Sequence, residues 1–159
     1  MALTILCVGK ARERYYADAV AEYVKRMSAL TPCAVVEVAD EPEPRQHTDA
    51  AQDRTLRVEG ERLLAKIPQN AHVIALCVDA PQPTSEELAA RLQKLFVSGR
   101  SDVIFVIGGS LGLHESVLRR ADERMGLSRM TLPHQLARVV LAEQLYRALK
   151  IGAGQRYHK

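Results

Sequence analysis

The chain has little of what usually betrays a function. It carries three cysteines in 159 residues, Cys7, Cys33 and Cys77, and no two form a C-x-x-C pair. Each sits in or beside an apolar run, so they read as reduced core thiols of a cytosolic protein and exclude a disulfide framework. The histidines, at 47, 72, 114, 134 and 158, lack metal-ligand spacing, so no metal is assigned. No apolar run is long enough to cross a bilayer and no secretory leader is expected; the reading is a cytoplasmic protein without a membrane partner. Internal repeats and linkers are absent, and this length fits one domain, residues 1–159. Neither G-x-G-x-x-G nor G-x-x-x-x-G-K-[ST] occurs, so the common nucleotide fingerprints are missing. A net charge of +3 is too mild to argue for nucleic acid by itself.

What is present is a regular alternation of strands and helices. Leu3–Val8 reads as a buried strand, followed by an amphipathic helix over Arg12–Ala29 with Tyr16, Val20, Tyr23, Val24 and Met27 at helical spacing. Ala34–Val38 is a second strand, and Asp40–Asp49, with two prolines and several charges, is a loop. A helix from Asp49 to Ile67 and a strand over Val73–Val78 come next. Thr84 and Glu87 have capping-box spacing and open a helix through Phe96, with Leu88, Leu92 and Leu95 inward.

Val103–Ile107 is apolar throughout, as in a strand buried on both faces, and stops at Gly108-Gly109. That stop is either a turn serving topology alone or a ligand site. Glu115–Arg124 reads as a short helix, Arg129–Leu132 as a short strand, and His134–Lys150 as the last helix. In that helix Val139-Val140-Leu141-Ala142 is apolar all round, which predicts burial on more than one side and hence a two-fold dimer. The pattern predicts an α/β fold, a mainly parallel sheet with helices on both faces. Its ligand site should lie beyond the strand ends: after Val78, around Gly108, and around Leu127–Leu132.

Those segments also carry a resemblance. Gly-Gly-Ser-x-Gly-Leu from Gly108, Leu-Ser-x-Met-Thr-Leu-Pro-His-Gln from Leu127, Arg-Val-x-Leu-x-Glu-Gln-x-Tyr-Arg-Ala from Arg138 and a terminal Tyr-His-Lys resemble the ribosomal large subunit methyltransferase H family, of the SPOUT class. The likeness spans essentially the whole chain, and its specific part is the C-terminal half. It implies a homodimer with a C-terminal trefoil knot, S-adenosyl-L-methionine bound in that knot, and methylation of N3 of a pseudouridine in 23S rRNA on assembled ribosomes. Pattern reading alone argues against a knot. A related enzyme acting on tRNA and a non-catalytic ribosome-associated factor are the competing readings.

Carried over by position, the cofactor contacts are Leu76, Gly108, Leu127, Ser128, Arg129, Met130, Thr131 and Leu132. An apolar slot with main-chain hydrogen bonds suits adenine, and Gly108 would let the ribose and methionine lie against the backbone. On that reading Gly108→Val blocks cofactor binding and leaves the fold largely intact. The candidates for aligning the base and removing its proton are His134, Arg138, Tyr157 and His158. Arg138, one helical turn from His134, would hold a phosphate or the enolate-like oxygen of the deprotonated base. The family implies a tail of one subunit closing the pocket of the other.

From Pro133 onward five Lys or Arg face Glu143 alone, whereas Glu37–Asp49 is mostly acidic. Arg129, Arg138, Arg147, Lys150, Arg156 and Lys159 are the expected rRNA backbone contacts, with Arg12 and Arg14 extending them. Two positions depart from the family: Gln155-Arg156, where His-Pro or a smaller pair is expected, and Cys77, where some members are acidic.

Overall fold

Alternation along the strands decides which helices they face. In the computed structural model, which describes residues 2–100 and 102–158, β1 (Ala2–Val8) turns Leu3, Ile5 and Cys7 to one side and Leu6 and Val8 to the other. Each of these residues is at most 1% exposed, so the strand is buried on both faces. β4 (Asp102–Ile107) repeats the pattern, with Val103, Phe105 and Ile107 against Ile104 and Val106. With β2 (Cys33–Val38), β3 (His72–Leu76) and β5 (Glu123–Met125) they form a five-stranded sheet in the order β2-β1-β4-β3-β5. Every pairing is parallel.

Helices α1 (Arg14–Ser28), α3 (Ser85–Val97) and α5 (His134–Gly152) cover one face, and α5 packs between the other two. Leu141 and Leu145 of α5 are fully buried there; each such leucine contributes about 1.5–3 kcal/mol. Helices α2 (Asp49–Leu64) and α4 (Glu115–Arg120) cover the opposite face through Leu63 and Val117. The chain therefore leaves β1 through α1 on one face toward β2, and leaves the neighbouring β4 through α4 on the other face toward β5. Connections that part in this way open a crevice at the carboxyl ends of the two strands.

The capping box forms as its spacing predicts. Thr84 Oγ1 accepts from Glu87 N–H at 3.1 Å, and Glu87 Oε2 accepts from Thr84 N–H at 2.7 Å. Thr84→Ala is expected to cost about 1 kcal/mol, read as a lower urea midpoint with an unchanged m-value.

The chain departs from the sequence expectation in the region after β4. The helix predicted over Glu115–Arg124 ends at Arg120, because Ala121 turns extended and the backbone pairs with β3. Asp122 N–H donates to Val73 O at 2.9 Å, and Asp122 Oδ2 accepts from Val73 N–H at 2.8 Å. The fifth strand is thus Glu123–Met125, and the Arg129–Leu132 segment predicted as a strand is irregular. Only Met125 of that strand is deeply buried, so three residues leave no legible alternation. Strand β3 likewise stops at Leu76, and Val78, expected inside it, is 72% exposed.

No helix among the described residues is long and apolar enough to cross a membrane. All three cysteines are free, and burial pushes the Cys7 thiol up to about 11, as expected of an inert core thiol.

Candidate functional site

The ends of β3 and β4 and the segment after β5 meet in one cleft of about 590 Å³. Its wall is built from Leu76–Val78, Ile107–Gly109 with Gly112, and Leu127, Ser128, Met130 and Leu132, with His134 and Ala137 closing it from α5. Cys77 N–H donates to Met125 O at 2.9 Å, and Gly126 N–H donates to Pro81 O at 3.0 Å. These bonds draw the chain after β5 across the loop after β3. The approach is close: a Cβ at Gly126 would stand 2.8 Å from Ala80 O and 3.1 Å from Cys77 O, so only glycine fits there.

Gly108 has a different neighbour from the one expected. A Cβ built on it would overlap the carbonyl oxygen of Gly112 and stand 2.5 Å from that carbonyl carbon. The loop folds back on itself through the Gly109–Gly112 bridge, with Gly112 N–H on Gly109 O at 3.1 Å and Gly112 at φ +90°. Glycine at 108 is required by the protein's own backbone, whatever else lies against it. The expectation that Gly108→Val would leave the fold largely intact is therefore corrected.

The wall is mainly apolar. Among the described residues, segment 127–132 makes no main-chain hydrogen bond to the sheet; Met130 N–H donates to Ser128 Oγ at 3.0 Å within the segment. Its main-chain groups are therefore not committed to the sheet, in a segment that is half-buried to exposed. Val78 and Met130, 72% and 75% exposed, stand at the mouth. Leu76, Gly108, Leu127, Ser128, Met130 and Leu132 are all brought together here. Arg129 and Thr131 are exposed and form no part of the wall. Cys77, Val78, Ile107, Gly109, Gly112 and Ala137 are wall residues that the motif reading missed, although their places at strand ends marked several of them.

The four candidates for the chemistry are not gathered. His134 lines the cleft, and its pKa is held below the usual histidine range by burial first and then by Arg138 and Arg12, with Asp40 opposing. Arg138 is 2% exposed and committed inside the fold. Its Nη2 donates to Val8 O at 2.5 Å and Gly9 O at 2.9 Å, and its Nη1 to Glu37 Oε1 at 3.2 Å. The phosphate or oxyanion role expected of it meets this geometry: the guanidinium is used to tie α5 to the ends of β1 and β2.

Tyr157 packs edge-on against Tyr146, centroids 4.8 Å apart, under the Arg147 guanidinium, and its OH donates to Glu143 Oε1 at 3.3 Å. His158 Nε2 pairs with Glu86 Oε1 at 2.6 Å. Both lie along α5 and the start of α3, outside the cleft of their own chain.

The expected basic contacts divide in the same way. Arg129 and Arg156 are exposed, whereas Arg147 is paired with Glu143 at 2.5 Å and Lys150 donates to Gln155 Oε1 at 2.5 Å. Arg12 and Arg14 pair with Asp40 and Asp18 at 3.4 and 3.5 Å. Lys159 lies outside the described residues.

Comparison with known proteins gives this geometry a context. The family profile described as "Predicted SPOUT methyltransferase" matches residues 1–158. The chain is 52% identical over 159 residues, the full length of both, to a protein of Listeria monocytogenes serotype 4b (strain CLIP80459) named ribosomal RNA large subunit methyltransferase H. It is 49% identical, again over both full lengths, to a protein of the same name from Lysinibacillus sphaericus (strain C3-41). Among solved structures, a probable methyltransferase from Bordetella pertussis Tohama I superposes with a TM-score of 0.57 at 17% identity, covering 93% of each chain. A probable methylase family protein from Haemophilus influenzae Rd KW20 gives 0.55 at 11% identity, covering 99% of this chain and 70% of that one. At such identities the two structures speak for the fold.

Proposed function

Because the chain belongs to the SPOUT methyltransferase family, we propose that it uses S-adenosyl-L-methionine to methylate large-subunit ribosomal RNA, at N3 of a pseudouridine in 23S rRNA on the assembled ribosome. The observation that carries this reading is the cleft itself. Three chain segments far apart in sequence converge to build it, and two of them, at Gly108–Gly112 and Leu127–Leu132, carry motifs of the family resemblance. The residues present fit the cofactor: Leu76, Leu127 and Leu132 offer apolar walls for adenine, and segment 127–132 offers main-chain groups with no partner in the sheet. With Gly108 folded back onto Gly112, no side chain at that position would stand in the way of the cofactor's ribose or methionine portion.

When bound, the cofactor supplies an electrophilic methyl group on sulfonium sulfur. The chain's contribution is to hold that group in line with the base nitrogen and exclude competing geometries. His134 is on the wall, and burial first, then Arg138 and Arg12, favour its neutral form, which can hydrogen-bond a uracil edge.

A homodimer belongs to the same proposal. Val139 and Val140 on α5 remain only half-buried in the single chain, and Tyr157 and His158 lie outside their own chain's cleft. A second subunit would cover the former and bring the latter to its partner's site. The trefoil knot is supported by the close passage of the chain after β5 over the loop after β3. Action on ribosomes would put the protein in the cytoplasm.

The test is methyl transfer from labelled cofactor to assembled ribosomes, free subunits, naked rRNA and tRNA. Label on 23S rRNA of assembled ribosomes is expected, and truncation of residues 157–159 should lower transfer more than cofactor affinity. Label on tRNA alone, or cofactor binding with no transfer to any RNA, overturns the reading.

A further inference from the structure

We propose that the crevice between the ends of β1 and β4 receives the acceptor nucleobase, with Glu59 of α2 accepting the hydrogen bond of its ring imide N–H. The assignment rests on the methyltransferase reading above and adds a site to it. The crevice, about 710 Å³, lies where the connections leaving β1 and β4 part to opposite faces. It is polar where the cofactor cleft is apolar, and the two share Gly109 and His134. A planar base seated in one therefore reaches the wall of the other.

Glu59 is the unexplained group in that crevice. It is 5% exposed, on the face of α2 turned to the sheet. Oε1 accepts from Glu41 N–H at 3.0 Å, whereas Oε2 has no protein donor among the described residues and stands 3.2 Å from where a Cβ on Gly109 would be. That oxygen keeps some exposure to the crevice, so it can accept from a ligand that enters there. The Glu41 contact does not explain the charge, because a glutamine carbonyl would accept that N–H equally well.

A carboxylate also selects the right edge: it binds a ring N–H and has nothing to offer the N-methylated product. Methylation forms an N–C bond, breaks the sulfonium donor's S–C bond with the electron pair left on sulfur, and releases the ring proton, for which Glu59 is the placed acceptor. Burial, with Asp40 and Glu41 adding to it, pushes the Glu59 carboxyl above its usual range, while the Glu41 N–H bond and Arg62 oppose the rise. That makes it a better proton acceptor. Lys10, Arg12 and His134 face the same space together with Asp40, Glu41 and Glu43; Arg12 is paired with Asp40, and Lys10 suits a flanking phosphate.

The experiment pairs nucleotide binding with turnover. Uridine 5′-monophosphate and its N3-methyl analogue are titrated by ligand-observed NMR into wild-type protein and Glu59→Gln. Methyl transfer to ribosomes is measured on both across pH. Wild type should bind the unmethylated nucleotide several-fold more tightly, and the variant should lose that preference with Tm and cofactor affinity unchanged. Its kcat should fall by about 100-fold or more, and the acid limb of the pH profile should go with it. Equal binding of the two nucleotides by wild type overturns the proposal, as does a variant with wild-type kcat. Discrimination between nucleotides by a wild-type protein inactive on ribosomes would sink the ribosomal reading and leave the crevice assignment standing. Should Glu59→Gln fail to fold, the wild-type nucleotide comparison decides alone.

Discussion

Replacing Arg138 with alanine is expected to destabilise the protein by about 3–5 kcal/mol, because it breaks a buried ion pair and orphans its partners. That is a large part of the total stability of a domain this size, about 5–15 kcal/mol. The guanidinium is 2% exposed and serves three acceptors on two strands: the carbonyls of Val8 and Gly9 at the end of β1, and the Glu37 carboxylate in β2. Truncation leaves two strand-end carbonyls and an acid without their donor, and opens a cavity beside α5. Urea unfolding should show the midpoint collapse, with much of the protein insoluble at 37 °C. Arg138→Met, which fills the volume and removes the charge, should lose less when combined with Glu37→Gln. If Arg138→Ala unfolds within 1 kcal/mol of wild type but loses RNA binding, a ligand-facing role for this arginine would be restored.

Gly108→Val is the second large effect, and it should strike stability and cofactor affinity together. Any Cβ at this position overlaps the Gly112 carbonyl, so even Gly108→Ala forces the 108–112 loop to refold. Overpacking of this kind costs about 1–3 kcal/mol, and the displaced loop is a wall of the cofactor cleft. Calorimetry with S-adenosyl-L-methionine should show at least a tenfold loss in affinity, equivalent to about 1.4 kcal/mol, alongside a lower Tm. A variant that keeps wild-type Tm while losing the cofactor would put the clash on the ligand instead of on Gly112.

The two effects show where sequence reading succeeds and stops. Both residues stood out in the sequence, Gly108 at a strand end and Arg138 four residues after His134. Their structural jobs are not legible there, because each is defined by a partner distant in sequence or by a backbone fold-back that no period reports. Arg138 finds Glu37 and Val8 across 101 and 130 residues. A helical turn places it beside His134 but says nothing about which way the guanidinium points. Glu59 was invisible for the same reason: on a helix of mixed charge it reads as one more solvated acid until Glu41 and Gly109 close over it.

The sequence by itself determined the α/β class, the near-complete order of elements, the family, and the three segments that build the cleft. Strand and helix periods, the capping box at Thr84 and short motifs at strand ends are local, and local interactions are written in consecutive residues. Tertiary structure alone decided that β5 is Glu123–Met125, a strand too short to alternate and held by edge pairing with β3. It also decided that Arg138 and Gly108 serve the fold, and that Glu59 is buried beside the glycine loop. Each of these depends on which distant group arrives opposite a residue, which is set by the packing of the whole sheet and not by neighbours along the chain.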